Sequence, residues 1–274
     1  MGGSSRRQFL GTLIGAVAAP CFGQVPILSR PSAPAISAPS AIVIDARTGA
    51  TLFEKEADDV RPIASTQKLL TALILCEGGG LQNRLTVQST DCVVEPTKLG
   101  IRSGQRYGRG YLMQAMLVKS CNDVARCLAR DYAGSEEAFG RVMSARAERL
   151  GCRNSRFANA SGLPARGQYS TARDIATIAR IAHYNPLIRR IVRIRRLPFT
   201  FADGKLVILE NTNKLLKQVT YVTGMKTGYT NGAGKCLVSS AEFGGREVIC
   251  TILGSSSRYI WNESRSLLDW ALNA

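Results

Sequence analysis

The chain has 274 residues, 45% of them hydrophobic, with 36 Lys and Arg against 20 Asp and Glu, a formal charge of +16 and one histidine. This composition is that of a globular protein with one large core or two smaller ones. The single His183 excludes any site that needs two imidazoles, such as a multi-histidine zinc or non-haem iron centre, and a Ser-His-Asp triad would have to run through it alone.

Ser5-Arg6-Arg7-Gln8-Phe9-Leu10-Gly11 followed by the apolar run TLIGAVAAP has the layout of an export signal, with a basic start and an apolar run too short to span a bilayer. The paired Arg6-Arg7 ahead of Phe9-Leu10 resembles a twin-arginine signal, and a plain Sec signal is the alternative. Cleavage near Gly23 removes two arginines and no acid, leaving a charge of +14 and seven cysteines, with no C-x-x-C among them. Buried inert thiols are therefore expected, and neither a metal nor a cofactor is. Residues 24–40, rich in Pro, Ser and Ala, form a linker, and the folded domain is expected over 41–274. In an exported protein an anionic membrane or wall polymer explains the positive charge better than nucleic acid does.

Within 41–274, AIVIDARTGATLFEKEA has the pattern of a hairpin. ASTQKLLTALILCEGGG, apolar on every face after Lys68 and stopped by three glycines, predicts a buried central helix. Residues 111–150 are predicted helical, interrupted at Lys119-Ser120-Cys121-Asn122, and Thr171 is the predicted N-cap of a helix that runs to about Tyr184, just before Pro186. His183 is then a helix-terminal histidine with no catalytic part. From Leu197 the pattern turns to strands, and WNESRSLLDWAL closes the chain as an amphipathic helix. Strands at both ends around a helical middle predict one α/β sandwich whose antiparallel sheet joins the two ends.

Three elements carry candidate chemistry. Ser65 and Lys68, at i and i+3 of a helix, lie within mutual reach, and a desolvated lysine can serve a serine nucleophile as base. Helix capping by Ser65 is the competing reading, but a lysine three residues on opposes the helix dipole, and that same field lowers its pKa. Ser120 and Asn122 do not share a helix face, so they belong to a turn that presents a hydroxyl and an amide to a cleft, unless they merely cap the following helix. Lys226-Thr227-Gly228 sits near a strand end. The glycine suits close approach of a substrate lying as an added strand, and Lys226 would favour neutral Lys68; an edge lysine that guards against aggregation is the alternative.

In this order, S-x-x-K, Ser-x-Asn and K-T-G form the signature set of penicillin-binding proteins and class A β-lactamases. With VIDARTGATLFEKEAD, NASGLPARGQYSTARDIA, NTNKLL and GMKTGYTNGAGKCLVSSA, the chain from Ala41 onward resembles the low-molecular-mass penicillin-binding proteins that are serine D-alanyl-D-alanine carboxypeptidases. The resemblance implies the penicillin-binding-protein/β-lactamase-like sandwich, an antiparallel sheet flanked by helices with an inserted helical region. It implies that Ser65 attacks the carbonyl between the terminal D-alanines of a peptidoglycan stem peptide and is acylated by β-lactams, while Lys68 accepts its proton. Ser120 would relay a proton to the leaving amine, and Asn122 would hold the peptide or Lys68. Lys226, Thr227, Gly228 and Tyr229 would form the substrate-binding strand, the first two at the terminal carboxylate, with the N–H groups of Ser65 and Tyr229 as oxyanion hole.

Departures from the family pattern are Cys121, reactive or space-filling, inside Ser-x-Asn, and Tyr229 where many relatives have histidine. Arg258 is the candidate for a further carboxylate-binding guanidinium. The second β-rich domain and amphipathic tail of many relatives are not expected. The alternatives are a DD-endopeptidase acting on crosslinks, a β-lactamase, and a non-catalytic wall-binding module. No glutamate occurs between Gly151 and Lys205 to order a deacylating water, and intact Ser65 and Lys68 argue against the module. The run Arg189, Arg190, Arg193, Arg195 and Arg196 is either a contact for anionic lipid or wall polymer or a solvated edge. A two-residue turn at Gly244-Gly245 would set Ser239 opposite Cys250 and Cys236 on the other face, which argues against a Cys236–Cys250 disulfide.

Overall fold

The structure, a computed structural model, describes residues 1–3, 32–94 and 96–273. The export-signal reading of residues 1–23 and the first part of the linker fall largely outside these residues. The chain divides into two units, Met1–Arg30 and Pro31–Ala274, and all the secondary structure of the described residues belongs to the second.

A hairpin of β1 (Ser40–Asp45) and β2 (Thr51–Lys55) joins β7 (Val222–Thr230), β8 (Gly234–Phe243) and β9 (Arg246–Ser255) in one antiparallel sheet, ordered β2-β1-β9-β8-β7. The N- and C-terminal segments of this unit meet where β1 pairs with β9, Val43 opposite Cys250. Along the strands alternate side chains enter two cores. One face packs on α9 (Ile260–Asn273) through Val43, Leu237 and Cys250 against Leu267 and Leu268. The other face, with Cys236 and Val238, covers the helical layer.

At the centre of that layer lies α1 (Lys68–Glu77), whose first eight residues are all buried. A helix enclosed on every side needs apolar residues all round, and its Leu69-Leu70 and Leu73-Ile74-Leu75 supply them. Truncating one of these leucines to alanine costs about 2–5 kcal/mol. Around it stand α3 (Arg109–Lys119), α4 (Asn122–Ala133), α5 (Glu136–Arg149) and α6 (Ala172–Tyr184), the last capped by Thr171 Oγ1, which accepts from Asp174 N at 3.0 Å.

The hairpin register follows the expected turn. Gly244 and Gly245 both have positive φ, Ser239 pairs with Cys250, and the seven described cysteines are free thiols. His183 lies in the last turn of α6, buried, 2.9 Å from Glu247 Oε2. Other elements depart from the sequence expectation. A short helix, α7 (Pro186–Val192), fills the stretch between the predicted helix ending near Tyr184 and the strands predicted from Leu197. Asn185 Oδ1 caps it, and proline fits the first helical position because no N–H is needed there. β5 (Arg196–Thr200) and β6 (Leu206–Glu210) pair only with each other, outside the main sheet, stacking Phe199 on Tyr111 at 4.6 Å. A further small pair, β3 (Arg84–Thr86) with β4 (Arg106–Gly108), and the one-turn helices α2 (Ser89–Cys92) and α8 (Leu215–Gln218) complete the fold.

Candidate active site

Ser65 lies in a 3-10 turn, Ala64–Gln67, that runs directly into α1, so Lys68 is the first residue of that helix. The turn is pressed from two sides by glycines. At Gly162, with φ +86°, a Cβ would sit 2.0 Å from Ala64 O; at Gly228 one would sit 2.9 Å from Ser65 N. Only a residue without a side chain allows the β7 backbone to approach the serine amide this closely.

Ser65 does not cap the helix. Its Oγ lies 2.8 Å from Lys68 Nζ and 3.1 Å from the Ser161 carbonyl oxygen. Lys68 Nζ also donates to Asn122 Oδ1 at 2.7 Å and to Ser161 O at 2.6 Å. The Asn122 amide is oriented by its other end, where Nδ2 donates to Pro96 O at 2.5 Å. A neutral amine has two N–H bonds and one lone pair. In its neutral form Lys68 can keep the bonds to Asn122 and Ser161 with its two hydrogens and turn the lone pair to Ser65 Oγ, the arrangement a base requires. Lys68 is fully buried, and this desolvation, together with the charge of Lys226, holds its pKa well below the usual lysine range.

Ser120 is the αL C-cap of α3, φ +69°, in the turn between α3 and α4, and is not the N-cap of α4. Cys121 holds the N-cap position of α4 without a side-chain capping bond, and Asp123 accepts from the Leu99 and Gly100 amides. Lys226 Nζ donates to Ser120 Oγ and to Thr227 O, both at 2.8 Å. Lys226 is buried rather than an exposed edge residue, and burial pulls its pKa down to about 7. Thr227 Oγ1 donates to Thr212 Oγ1 at 2.6 Å. Asn211 and Asn213 fix the loop that presents Thr212, through bonds to Ile194 O at 2.8 Å and Gly224 O at 2.9 Å.

Together Ser65, Ser120, Thr212, Thr227, Gly228 and Tyr229 line one cleft of about 370 Å³. Cys121 is fully buried behind it, and burial raises its thiol pKa to about 12, so it fills space. Sequence reasoning does not single out the Ser161 carbonyl, Thr212, Lys214 or Trp261, although the family-like NASGLP and NTNKLL segments supply the first three. Ser161 is held by Asn159 Oδ1, which accepts from the Ser161 and Gly162 amides at 3.1 and 2.8 Å. Arg258 is exposed, with its guanidinium 5.4 Å from the Tyr259 ring centroid, while its neighbour Ser257 lines the cleft. The basic run is partly neutralised: Arg189 and Arg193 pair with Glu242, and Arg196 pairs with Glu210.

An antiparallel sheet between α9 and a helical layer, with a serine and two buried lysines at the edge of β7, defines a hydrolase with the fold of the penicillin-binding DD-peptidases. The sequence profile of the D-alanyl-D-alanine carboxypeptidases, peptidase family S11, matches residues 28–257, and the chain belongs to that family. It is 31% identical over 259 residues to the D-alanyl-D-alanine carboxypeptidase DacB2 of Mycobacterium tuberculosis, covering 92% of this chain and 86% of that one. It is 32% identical to a D-alanyl-D-alanine endopeptidase of Escherichia coli, covering 83% and 74%. Among solved structures, a D-alanyl-D-alanine carboxypeptidase of Mycobacterium tuberculosis superposes with a TM-score of 0.84 at 29% identity, covering 89% and 94%. Other curated relatives are longer, and the chain spans 62% of their length. No described helix is long and apolar enough to cross a membrane.

Proposed function

We propose that the protein is a serine D-alanyl-D-alanine carboxypeptidase that removes the terminal D-alanine from peptidoglycan stem peptides and is acylated by β-lactams. The observation that carries the reading is the 2.8 Å contact between Ser65 Oγ and Lys68 Nζ, inside a buried network in which Lys68 Nζ also donates to Asn122 Oδ1 and Ser161 O. Ser65 Oγ attacks the penultimate D-alanine carbonyl as its proton moves to Lys68 Nζ. The oxyanion is held by the N–H groups of Ser65 and Tyr229. Ser120, whose oxygen already accepts from Lys226, turns its own hydrogen toward the leaving amine. The proton lodged on Lys68 returns through Ser120 as the C–N bond breaks. Thr227, backed by Thr212, and the nearby charge of Lys226 receive the terminal carboxylate. Water then cleaves the Ser65 ester, with Lys68 again as base.

Labelling with a fluorescent penicillin tests this directly: the wild-type protein acquires a long-lived adduct and Ser65→Ala does not. Ser65-independent labelling, or none, overturns the reading. The endopeptidase named among the relatives supports crosslink cleavage as a second reading of the same site. Release of D-alanine from a pentapeptide and splitting of a crosslinked dimer separate the two activities.

We further propose that the protein is exported and contacts an anionic membrane or wall polymer. The exposed Arg190 and Arg195 support that contact. Binding to anionic vesicles that is absent, or unaffected by high salt, speaks against it.

A further inference from the structure

β7 is the edge strand of the main sheet, so its outer side is open to a substrate that adds as a further strand. The contacts of the proposed reaction set the direction of that added strand. The scissile carbonyl oxygen lies at the N–H of Tyr229, and the terminal carboxylate lies at Thr227, about 7 Å back along β7. The substrate therefore runs antiparallel to β7. Its leaving residue points toward Thr227 and Thr212, and its acyl part passes Tyr229 toward the end of the strand at Thr230.

At that end stands a pair of side chains that the proposed reaction does not use. Lys235, on β8, is the cross-strand partner of Tyr229, and its Nζ lies 4.0 Å from the centroid of the Tyr229 ring. The tyrosine is 55% exposed, and its hydroxyl donates to Asn231 Oδ1 at 3.1 Å, which ties the ring to the turn that follows. Both side chains line the cleft, and no described residue lining it is acidic. Lys235 forms no ion pair with a described carboxylate. The cleft's other exposed ammonium, Lys214, belongs to the segment that carries Thr212 and stands over Trp261, at the carboxylate end.

An extended peptide advances about 3.4 Å per residue, so the residue before the two D-alanines comes level with the end of β7. There a side chain meets an ammonium without a counter-charge, lying on an aromatic face. A carboxylate on that side chain gains a charged partner, and its aliphatic stem covers exposed ring surface. An amide gains no charge, and an ammonium is repelled.

We infer that Lys235, held over Tyr229, is a specificity-determining residue for the acyl side, and that it selects stem peptides whose residue before the two D-alanines bears a free side-chain carboxylate. The inference rests on the proposed serine-peptidase reading and adds the class of its acyl donor.

The test compares D-alanine release by the full chain from two pentapeptides that differ only in that side chain, one with the free carboxylate and one with its primary amide. The readout is the ratio of the two kcat/KM values, which a poorly folded variant does not alter. Wild type favours the free acid by about three- to fivefold, the scale of one partly exposed charge contact, and the preference shrinks with added salt. Lys235→Arg keeps the ratio, Lys235→Gln brings it to about one, and Lys235→Glu turns it below one. A wild type that cleaves both peptides equally overturns the inference, as does a Lys235→Gln ratio that stays at the wild-type value. Absence of any Ser65 adduct with penicillin in wild type is a different failure, that of the enzyme reading itself.

Discussion

Replacing Lys226 by methionine removes a charge that acts on Lys68 through space. Both amines are buried, and burial disfavours the ammonium form of each. Their repulsion is mutual, so the pair holds a single proton readily, and Lys68 is the member held well below the usual lysine range. Lys68 therefore loses its proton first, and in the proposed mechanism the acylating state is neutral Lys68 beside charged Lys226. At an effective dielectric of about 20, two like charges in neighbouring buried positions repel by up to about 4 kcal/mol, and one pH unit corresponds to about 1.4 kcal/mol. Without that repulsion the Lys68 pKa rises, so the acid limb of the acylation profile moves upward by about one to two units. The alkaline limb, which reports loss of the Lys226 proton near pH 7, disappears in the variant. The assay is the second-order rate constant for acylation by a fluorescent penicillin, followed from acid to alkaline pH in both proteins. Loss of carboxylate binding lowers the variant's rate at every pH and leaves the limb positions to report the titration. An acid limb that stays in place or moves downward refutes the electrostatic coupling.

Lys226 also ties folding to pH. Its pKa is about 7 in the folded protein against 10.5 for an ordinary lysine, so between those values the unfolded chain holds the extra proton. Stability therefore rises with pH across that window and falls on acidification toward pH 7, by at most about 1.4 kcal/mol per unit. Urea midpoints at several pH values should show this slope in wild type relative to Lys226→Met, and parallel curves count against it. Gly228→Ala places a Cβ 2.9 Å from Ser65 N and 3.0 Å from Ala64 Cβ, forcing β7 away from the serine turn. Acylation should drop by about 100-fold or more, the scale of losing an oxyanion donor, and a near-normal rate would show that the strand need not lie so close. Cys121, with its thiol pKa pushed up to about 12, should resist iodoacetamide at neutral pH in the folded protein, and peptide mapping that finds it alkylated contradicts its burial. Thr212→Val removes the acceptor of the Thr227 hydroxyl, so KM for the pentapeptide should rise about three- to tenfold with little change in kcat.

The parts of the fold legible in the sequence were those with a periodicity of their own. α1 was visible because burial on all sides requires apolar residues on every face, and the β8–β9 register because a Gly-Gly turn between two alternating runs allows one pairing. α7 and α8 span seven and four residues, too few for a helical period to emerge. The separate β5–β6 pair was misplaced for a different reason. Alternation gives a strand its two faces and says nothing of which sheet receives it. At the site, side chains with distinctive chemistry were singled out by motif spacing and given their roles by the family resemblance. Ser161 was missed because it acts through its main-chain carbonyl, which every residue possesses. Thr212 was missed because its partner Thr227 lies 15 residues away, and only the folding of a loop beside β7 brings them together.

The Ser161 carbonyl bears on how long an acyl-enzyme persists. The loop over Lys68 contributes a carbonyl oxygen at 2.6 Å where a rapid β-lactamase of class A needs a glutamate to activate water. A carbonyl accepts a hydrogen bond but cannot take up a proton, so in the proposed mechanism Lys68 is the base for deacylation. With a peptide substrate this suffices, because the expelled D-alanine diffuses away and water occupies the space it leaves beside Ser120. A β-lactam opens without releasing its amine. The ring nitrogen stays tethered to the acyl group on the leaving side of the cleft, between Ser120 and Thr227, and stands in the water's path to the ester. Giving the loop a carboxylate, as in Ser161→Glu, would not repair this, since Lys68 draws on the main chain there rather than on the serine hydroxyl. The penicilloyl adduct should therefore outlast the peptidyl one by orders of magnitude, in wild type and in Ser161→Ala alike. A short-lived penicilloyl adduct in either protein would mean that water reaches the ester by a route other than the leaving-group side.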